Sequence, residues 1–80
     1  MVRYLSRDEV ASPTLKHLAA NCRCLRIARG LSQAELSELS GIAASHISNI
    51  ENVRANPTID SLEDLASALQ VSVLDLLQER

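Results

Sequence analysis

Short polar side chains recur at helical spacing between residues 44 and 52. On a helical wheel they fall on one arc, opposite Ile47 and Ile50. The polar residues are Ser45, Ser48, Asn49 and Asn52. Hydroxyl and amide groups can donate to and accept from the edges of base pairs, and an asparagine can pair with adenine through two hydrogen bonds. The stretch therefore predicts a helix whose outer face carries chemistry suited to nucleic acid.

Catalytic and metal-binding chemistry is not indicated by the other reactive residues. His46 adjoins Ser45, but no third group or cleft is indicated that would complete a catalytic set. Cys22 and Cys24 lack further Cys or His residues at the spacing of a metal site, so we expect Cys22 to be a small core residue and Cys24 a surface thiol. We therefore expect no enzyme activity, no metal and no cofactor.

The length and charge of the chain fit one small domain with two unlike faces. The 80 residues contain no apolar run longer than three, so we expect no membrane span, no export segment and a cytoplasmic location. The net charge of −2 is unevenly distributed. Residues 1–57 carry seven basic and five acidic side chains, whereas residues 58–80 carry one basic and five acidic. This asymmetry indicates different roles for the two parts.

Apolar periodicity and capping residues predict an all-α fold of five helices. The predicted helices are about 13–29, 33–40, 44–52, a fourth opened by Pro57 and Thr58, and a short fifth after Ser72. Residues 1–12 are predicted to form an N-terminal arm, and residues 13–80 the domain. In the second helix we expect Leu36 and Leu39 to be buried, and in the fourth we expect Ile59 to face inward with the leucines that follow.

The second and third helices, separated by Gly41, have the spacing of a helix-turn-helix unit. The surrounding residues resemble the Cro and phage-repressor-like (XRE) helix-turn-helix family over about residues 22–77. The resemblance is carried by Arg26, the RGLSQAEL run of 29–36, Gly41, Ile47, the IEN run of 50–52, Pro57 and the LASAL run of 65–69. It implies a five-helix, repressor-like DNA-binding domain with residues 44–52 in the major groove of double-stranded DNA.

The resemblance also implies roles for individual residues. Gln33, at the start of the second helix, matches the position that contacts a DNA phosphate, where the helix dipole favours an anion. Ala44, Ser45 and Asn49 match base-reading positions. Ala43 and Asn52 match flanking phosphate contacts, and Arg54 is an implied phosphate anchor in the following loop.

Two further expectations concern the third helix. Glu51 lies on its inner side, where a lone carboxylate would be costly, and the family pairs this position with that of Arg26, so we expect an Arg26–Glu51 salt bridge. Val53 stands where relatives commonly have glycine. Because a β-branched residue resists positive φ, we expect the loop after the helix to take a different turn.

Proteins of this kind usually bind two half-sites as a two-fold dimer. Leu74, with Leu77 and Val73, is the predicted homodimer interface, and the alternative is that Leu74 packs beneath the N-terminal arm.

The sequence is compatible with three functions. They are a stand-alone regulator of the phage-repressor or restriction–modification controller type, the antitoxin of a toxin–antitoxin pair, and an interaction module without a DNA role. A toxin or RNA polymerase is a further candidate partner.

Overall fold

Five α-helices joined by short turns make up the part of the chain that the computed structural model describes, residues 12–80. Apart from Ser12, the predicted arm lies outside these residues. The helices are α1 (Pro13–Ala28), α2 (Gln33–Ser40), α3 (Ala44–Glu51), α4 (Ile59–Leu69) and α5 (Val73–Leu77). The predicted all-α class is confirmed, and each predicted helix boundary holds within two residues. None of the five combines the length and apolarity that crossing a bilayer requires.

Local hydrogen bonds fix where α2 and α5 begin. The Ser32 hydroxyl accepts from the Glu35 backbone N–H at 3.0 Å, and the Glu35 carboxylate accepts from the Ser32 N–H at 2.9 Å. Ser72 and Asp75 make the same reciprocal pair at the start of α5, at 3.1 and 2.9 Å. Such capping boxes satisfy backbone donors that have no partner inside the helix. These two helix starts are therefore set by residues three apart in the sequence.

A single core joins all five helices. Helix α1 packs against α3 and α5, α2 packs against α3 and α4, and α4 also packs against α5. The core consists of Leu18, Cys22, Leu36, Ile42, Ile47, Ile50, Leu62, Leu65, Ala66, Leu69 and Leu76. The arrangement presses α3 against α1 and α2, and it places α5 against α1 and α4.

Two residues predicted to be buried are exposed. Leu39 is 62% exposed and Ile59 is 65% exposed, so the inward assignment of both was wrong. Helix α2 is only eight residues long and buries a single side chain, Leu36, so Leu39 in its final turn lies outside the buried side of the helix. Ile59 is the first residue of α4 and lies one turn ahead of Leu62, where the buried part of that helix begins.

The turn after α3 also differs from its prediction, because Val53 adopts a φ of +58°. Its N–H donates to the Ile50 carbonyl at 3.2 Å, and the Arg54 N–H donates to the Asn49 carbonyl at 2.7 Å. These two bonds form a Schellman motif, which satisfies carbonyls at the helix end and requires a left-handed residue at this position. The expectation of a different turn was wrong because the two hydrogen bonds of the motif outweigh the local preference of valine.

The left-handed conformation of Val53 predicts a gain of stability on substitution by glycine. A left-handed residue with a Cβ costs about 1–2 kcal/mol, and the greater freedom of glycine in the unfolded chain offsets part of the relief. We expect Val53→Gly to raise the free energy of unfolding by about 0.5–1 kcal/mol in urea denaturation. Val53→Ala, which keeps the Cβ, is the matched control and should gain less. A glycine variant less stable than the parent would contradict this account.

Arg29 joins the ends of two helices. It is the C-cap of α1, and its Nε donates to the Leu69 carbonyl at the end of α4 at 2.9 Å. Its Nη2 donates to the side-chain carbonyl of Gln70, a residue with a φ of +58°. The sequence pattern did not indicate this contact, since the partners are 40 and 41 residues apart.

Candidate nucleic-acid interface

The Glu51 carboxylate connects α3 to both neighbouring helices. Its Oε2 accepts from Arg26 Nε at 2.8 Å, and its Oε1 accepts from Arg26 Nη2 at 3.0 Å. Gln33 Nε2 also donates to Oε1 at 3.2 Å, and the Cys22 thiol lies 3.6 Å from Oε2. Arg26 Nη1 donates to the Leu31 carbonyl at 2.8 Å. The structure thus brings the two expected salt-bridge partners together and adds donors from α1 and α2.

The electrostatics of this cluster favour an ionised carboxylate. Burial alone would raise the pKa of Glu51, but the hydrogen bonds from Arg26 and Gln33 bring it below its ordinary value of 4.5. The hydrogen bond to Glu51 raises the pKa of Arg26 despite opposing desolvation. Because the folded-state pKa of Glu51 is depressed, its stabilisation is present above about pH 4.5 and is lost as the pH falls through the folded-state value.

Removing one partner of this pair should cost more than removing both. The Arg26 and Glu51 side chains are only 12% and 4% exposed, so a lone charge would remain poorly solvated. We expect Arg26→Met to lower the free energy of unfolding by about 3 kcal/mol. In the double variant Arg26→Met with Glu51→Leu, part of that loss should be recovered, because no unpaired carboxylate remains. Urea denaturation at pH 7 tests this, and a double variant as unstable as the sum of the two single changes would refute it.

The thiol of Cys22 belongs to the same cluster. Its side chain is fully buried, and desolvation, followed by the charge and hydrogen bond of Glu51, raises its pKa to about 12. Cys24, two residues further along α1, is exposed. This agrees with the sequence expectation of one core residue and one surface thiol.

The two cysteines should therefore differ strongly in reactivity. Because the thiolate is the reactive form, Cys22 in the folded protein should resist iodoacetamide at pH 8, while Cys24 is alkylated. In denaturant both should react, which provides the internal control. Peptide mass spectrometry assigns the modified residue. Rapid alkylation of Cys22 without denaturant would show that the core is open near Glu51.

The outer face of α3 is polar, uncharged and accessible. Ser45 and Asn49 are exposed and lie one turn apart on the same side of the helix, and Ala44 is half-buried beside them. Ala43, the N-cap residue, is exposed and provides no side-chain cap. Since α3 has eight residues and no side-chain cap at its start, its stability depends on Ile47, Ile50 and the Glu51 cluster.

The flanking positions are partly engaged in the protein itself. The Asn52 amide nitrogen donates to the Ser48 carbonyl at 2.8 Å and to the Ser48 hydroxyl at 3.4 Å, which orients it toward its own helix. The Gln33 amide is likewise oriented by Glu51. Arg54 is exposed, and its backbone N–H is held by the turn at Val53. The assignments of these residues to DNA contacts stay predictions.

The predicted dimer residues lie on α5. Leu74 is 76% exposed, while Val73 and Leu77 are half-buried and pack against the core. Helix α5 packs against α1 and α4, whereas α3 packs against α1 and α2. The apolar patch on α5 and the polar face on α3 therefore belong to two helices that do not pack extensively against each other.

Sequence reasoning missed Asn21 and the contact between Gln33 and Glu51. Asn21 is 3% exposed and donates to two carbonyls near the end of α5. Asn21 lies three residues after Leu18 on the apolar stripe of α1. This position could have indicated a buried hydrogen bond, because a polar residue on a buried face must find hydrogen-bond partners. The Gln33 contact joins residues 18 apart and had no local signal.

Comparison with known proteins identifies relatives over most of the chain. The helix-turn-helix family model matches residues 24–76. The transcriptional regulator SinR of Bacillus subtilis is 45% identical over 53 residues, which cover 65% of this chain and 48% of SinR. The control protein C.SmaI of Serratia marcescens is 42% identical over 60 residues, covering 75% of this chain and 71% of C.SmaI. The chain thus spans about half the length of SinR.

Solved structures show the same fold. The restriction–modification controller protein C.AhdI from Aeromonas hydrophila superimposes with a TM-score of 0.75 at 34% identity, covering 78% of this chain and 94% of that one. The hypothetical transcription factor NHTF from Neisseria superimposes with a TM-score of 0.78 at 28% identity, covering 98% of this chain and 85% of that one.

Proposed function

Since this chain belongs to the helix-turn-helix family, we propose that it is a sequence-specific DNA-binding regulator of transcription whose helix α3 enters the major groove. The observation that carries this proposal is the accessible, uncharged face of α3, held in place by the buried Glu51 cluster. Ser45 and Asn49 present a hydroxyl and an amide on that face. Asn49 is suited to adenine, Ser45 to several bases, and Ala44 to the methyl group of thymine.

Phosphate contacts would hold this helix in register. Gln33 is the first residue of α2, where the helix dipole favours an anion, and Glu51 engages only one of its two amide hydrogens. Ala43, Asn52 and Arg54 flank α3 and are the other proposed phosphate contacts. The absence of lysine and arginine from α3 itself implies that much of the affinity comes from these flanking groups.

We also propose that two copies bind a two-fold operator. One domain covers about half of such a site, and we propose that a pair joined at Val73, Leu74 and Leu77 leaves both α3 helices accessible, since α5 packs against α1 and α4 while α3 packs against α1 and α2. Similarity to C.SmaI and C.AhdI supports a regulator of the controller type.

Fluorescence anisotropy with duplexes from the region upstream of the gene tests the proposal. We expect one duplex to bind more tightly than unrelated sequences. The logarithm of the association constant should fall linearly with the logarithm of the salt concentration, with a slope of about −0.9 for each phosphate contacted. If no duplex shows salt-dependent binding, the proposed DNA role fails.

Substitutions should separate base reading from phosphate contact. Asn49→Ala should relax the preference at one base pair, at a cost of about 1–3 kcal/mol on the preferred sequence. Gln33→Ala should weaken all duplexes alike. Glu63→Gln, on the exposed surface of α4, is the matched control and should bind as the parent does. Equal losses on every sequence from both Asn49→Ala and Gln33→Ala would contradict the assigned roles.

A further inference from the structure

Asn21 is a polar residue buried in the core outside the Glu51 cluster. It lies on α1 between core residues, and its Nδ2 donates to the Leu76 carbonyl at 3.0 Å and to the Gln78 carbonyl at 2.8 Å. Carbonyl oxygens only accept hydrogen bonds, so the amide nitrogen must face them and both of its hydrogens are used. The contact bridges 55 and 57 residues of sequence.

The Leu76 carbonyl lies in the last turn of α5, and the Gln78 carbonyl belongs to the C-cap residue of that helix. Helix α5 has five residues, and the last carbonyls of any helix lack donors from within it. Its start is fixed by the capping box of Ser72 and Asp75, and its middle by the fully buried Leu76. Asn21 provides the missing donors at the other end. Helix α5 is therefore held at both ends, and α1 determines the position of its C-terminus.

The orientation of α5 decides where its apolar residues point. Leu74 is 76% exposed, whereas Val73 and Leu77 turn partly into the core. A rotation of α5 would bury or displace Leu74 and change the surface that the three residues form together. The proposed partner for this surface is a second copy of this chain, because pairing there would cover exposed apolar area on a helix that does not pack extensively against α3.

We propose that Asn21 is a positioning residue for self-association: it fixes α5 so that Leu74 meets its counterpart in a second copy. This inference rests on the homodimer of the proposed function and extends it to a residue that touches neither the partner nor DNA. Asn21 would thereby link the packing of α1 to the assembly of two DNA-reading helices.

Sedimentation equilibrium of the full chain tests the proposal with two variants. Asn21→Asp keeps the shape but replaces the donors with acceptors, and Asn21→Leu removes the polar group. At a temperature where circular dichroism shows each variant to be folded, we expect the dimer dissociation constant to rise about tenfold. Gln78→Ala is the matched control: it removes an exposed side chain, keeps the backbone carbonyl that Asn21 contacts, and should dimerise normally.

A double-mutant cycle separates positioning from general stability. Leu74→Ser should weaken the dimer by itself, and combining it with Asn21→Asp should add little, because Asn21 acts through Leu74. A purely structural residue would lower the unfolding temperature without changing the dissociation constant of the folded protein. Folded Asn21 variants with the parent's dissociation constant, or fully additive losses, would overturn the proposal while leaving the dimer intact. A parent protein that stays monomeric would instead refute the dimer and this inference with it.

Discussion

The Glu51 carboxylate is the interaction on which the rest of the structure depends. It stands near the end of α3 and accepts from Arg26 and Cys22 on α1 and from Gln33 on α2. Arg26 extends the same network to the turn between α1 and α2 through the Leu31 carbonyl. An eight-residue helix with one polar face would not persist in water by itself. A buried, hydrogen-bonded charge selects one orientation for it, since few other placements satisfy all of these donors.

Local chemistry explains which parts of the fold could be predicted. Ser32 with Glu35, and Ser72 with Asp75, act over three residues, so the helix starts they define can be read directly from the sequence. Apolar periodicity likewise locates the buried side of α1 and of most of α4. It fails at Leu39 and Ile59, because periodicity gives the direction of a side chain and not the distance to which the neighbouring helix extends.

The remaining errors and omissions involve contacts made across the fold. Val53 takes a conformation that its type disfavours, because the hydrogen bonds that end α3 require a left-handed residue there. Asn21 and Arg29 bond to carbonyls more than 35 residues away, and no local pattern encodes such partners. For the candidate interface, the family resemblance identified the positions expected to contact DNA, and the structure shows what surrounds each of them. Ser45 and Asn49 are exposed to solvent, whereas the amides of Gln33 and Asn52 are hydrogen-bonded within the protein.

The bond from Arg29 to Leu69 has a consequence for how the chain can turn between α4 and α5. Helices α1 and α4 both finish at this corner, and each brings the partial negative charge of its unpaired carbonyls. Arg29 and Gln70 are exposed at this corner, so water screens part of that charge. The Arg29 side chain donates to the Leu69 carbonyl at the end of α4, while its backbone N–H caps the end of α1. One residue thereby completes the ends of two helices, beside the left-handed Gln70 at which the backbone leaves α4.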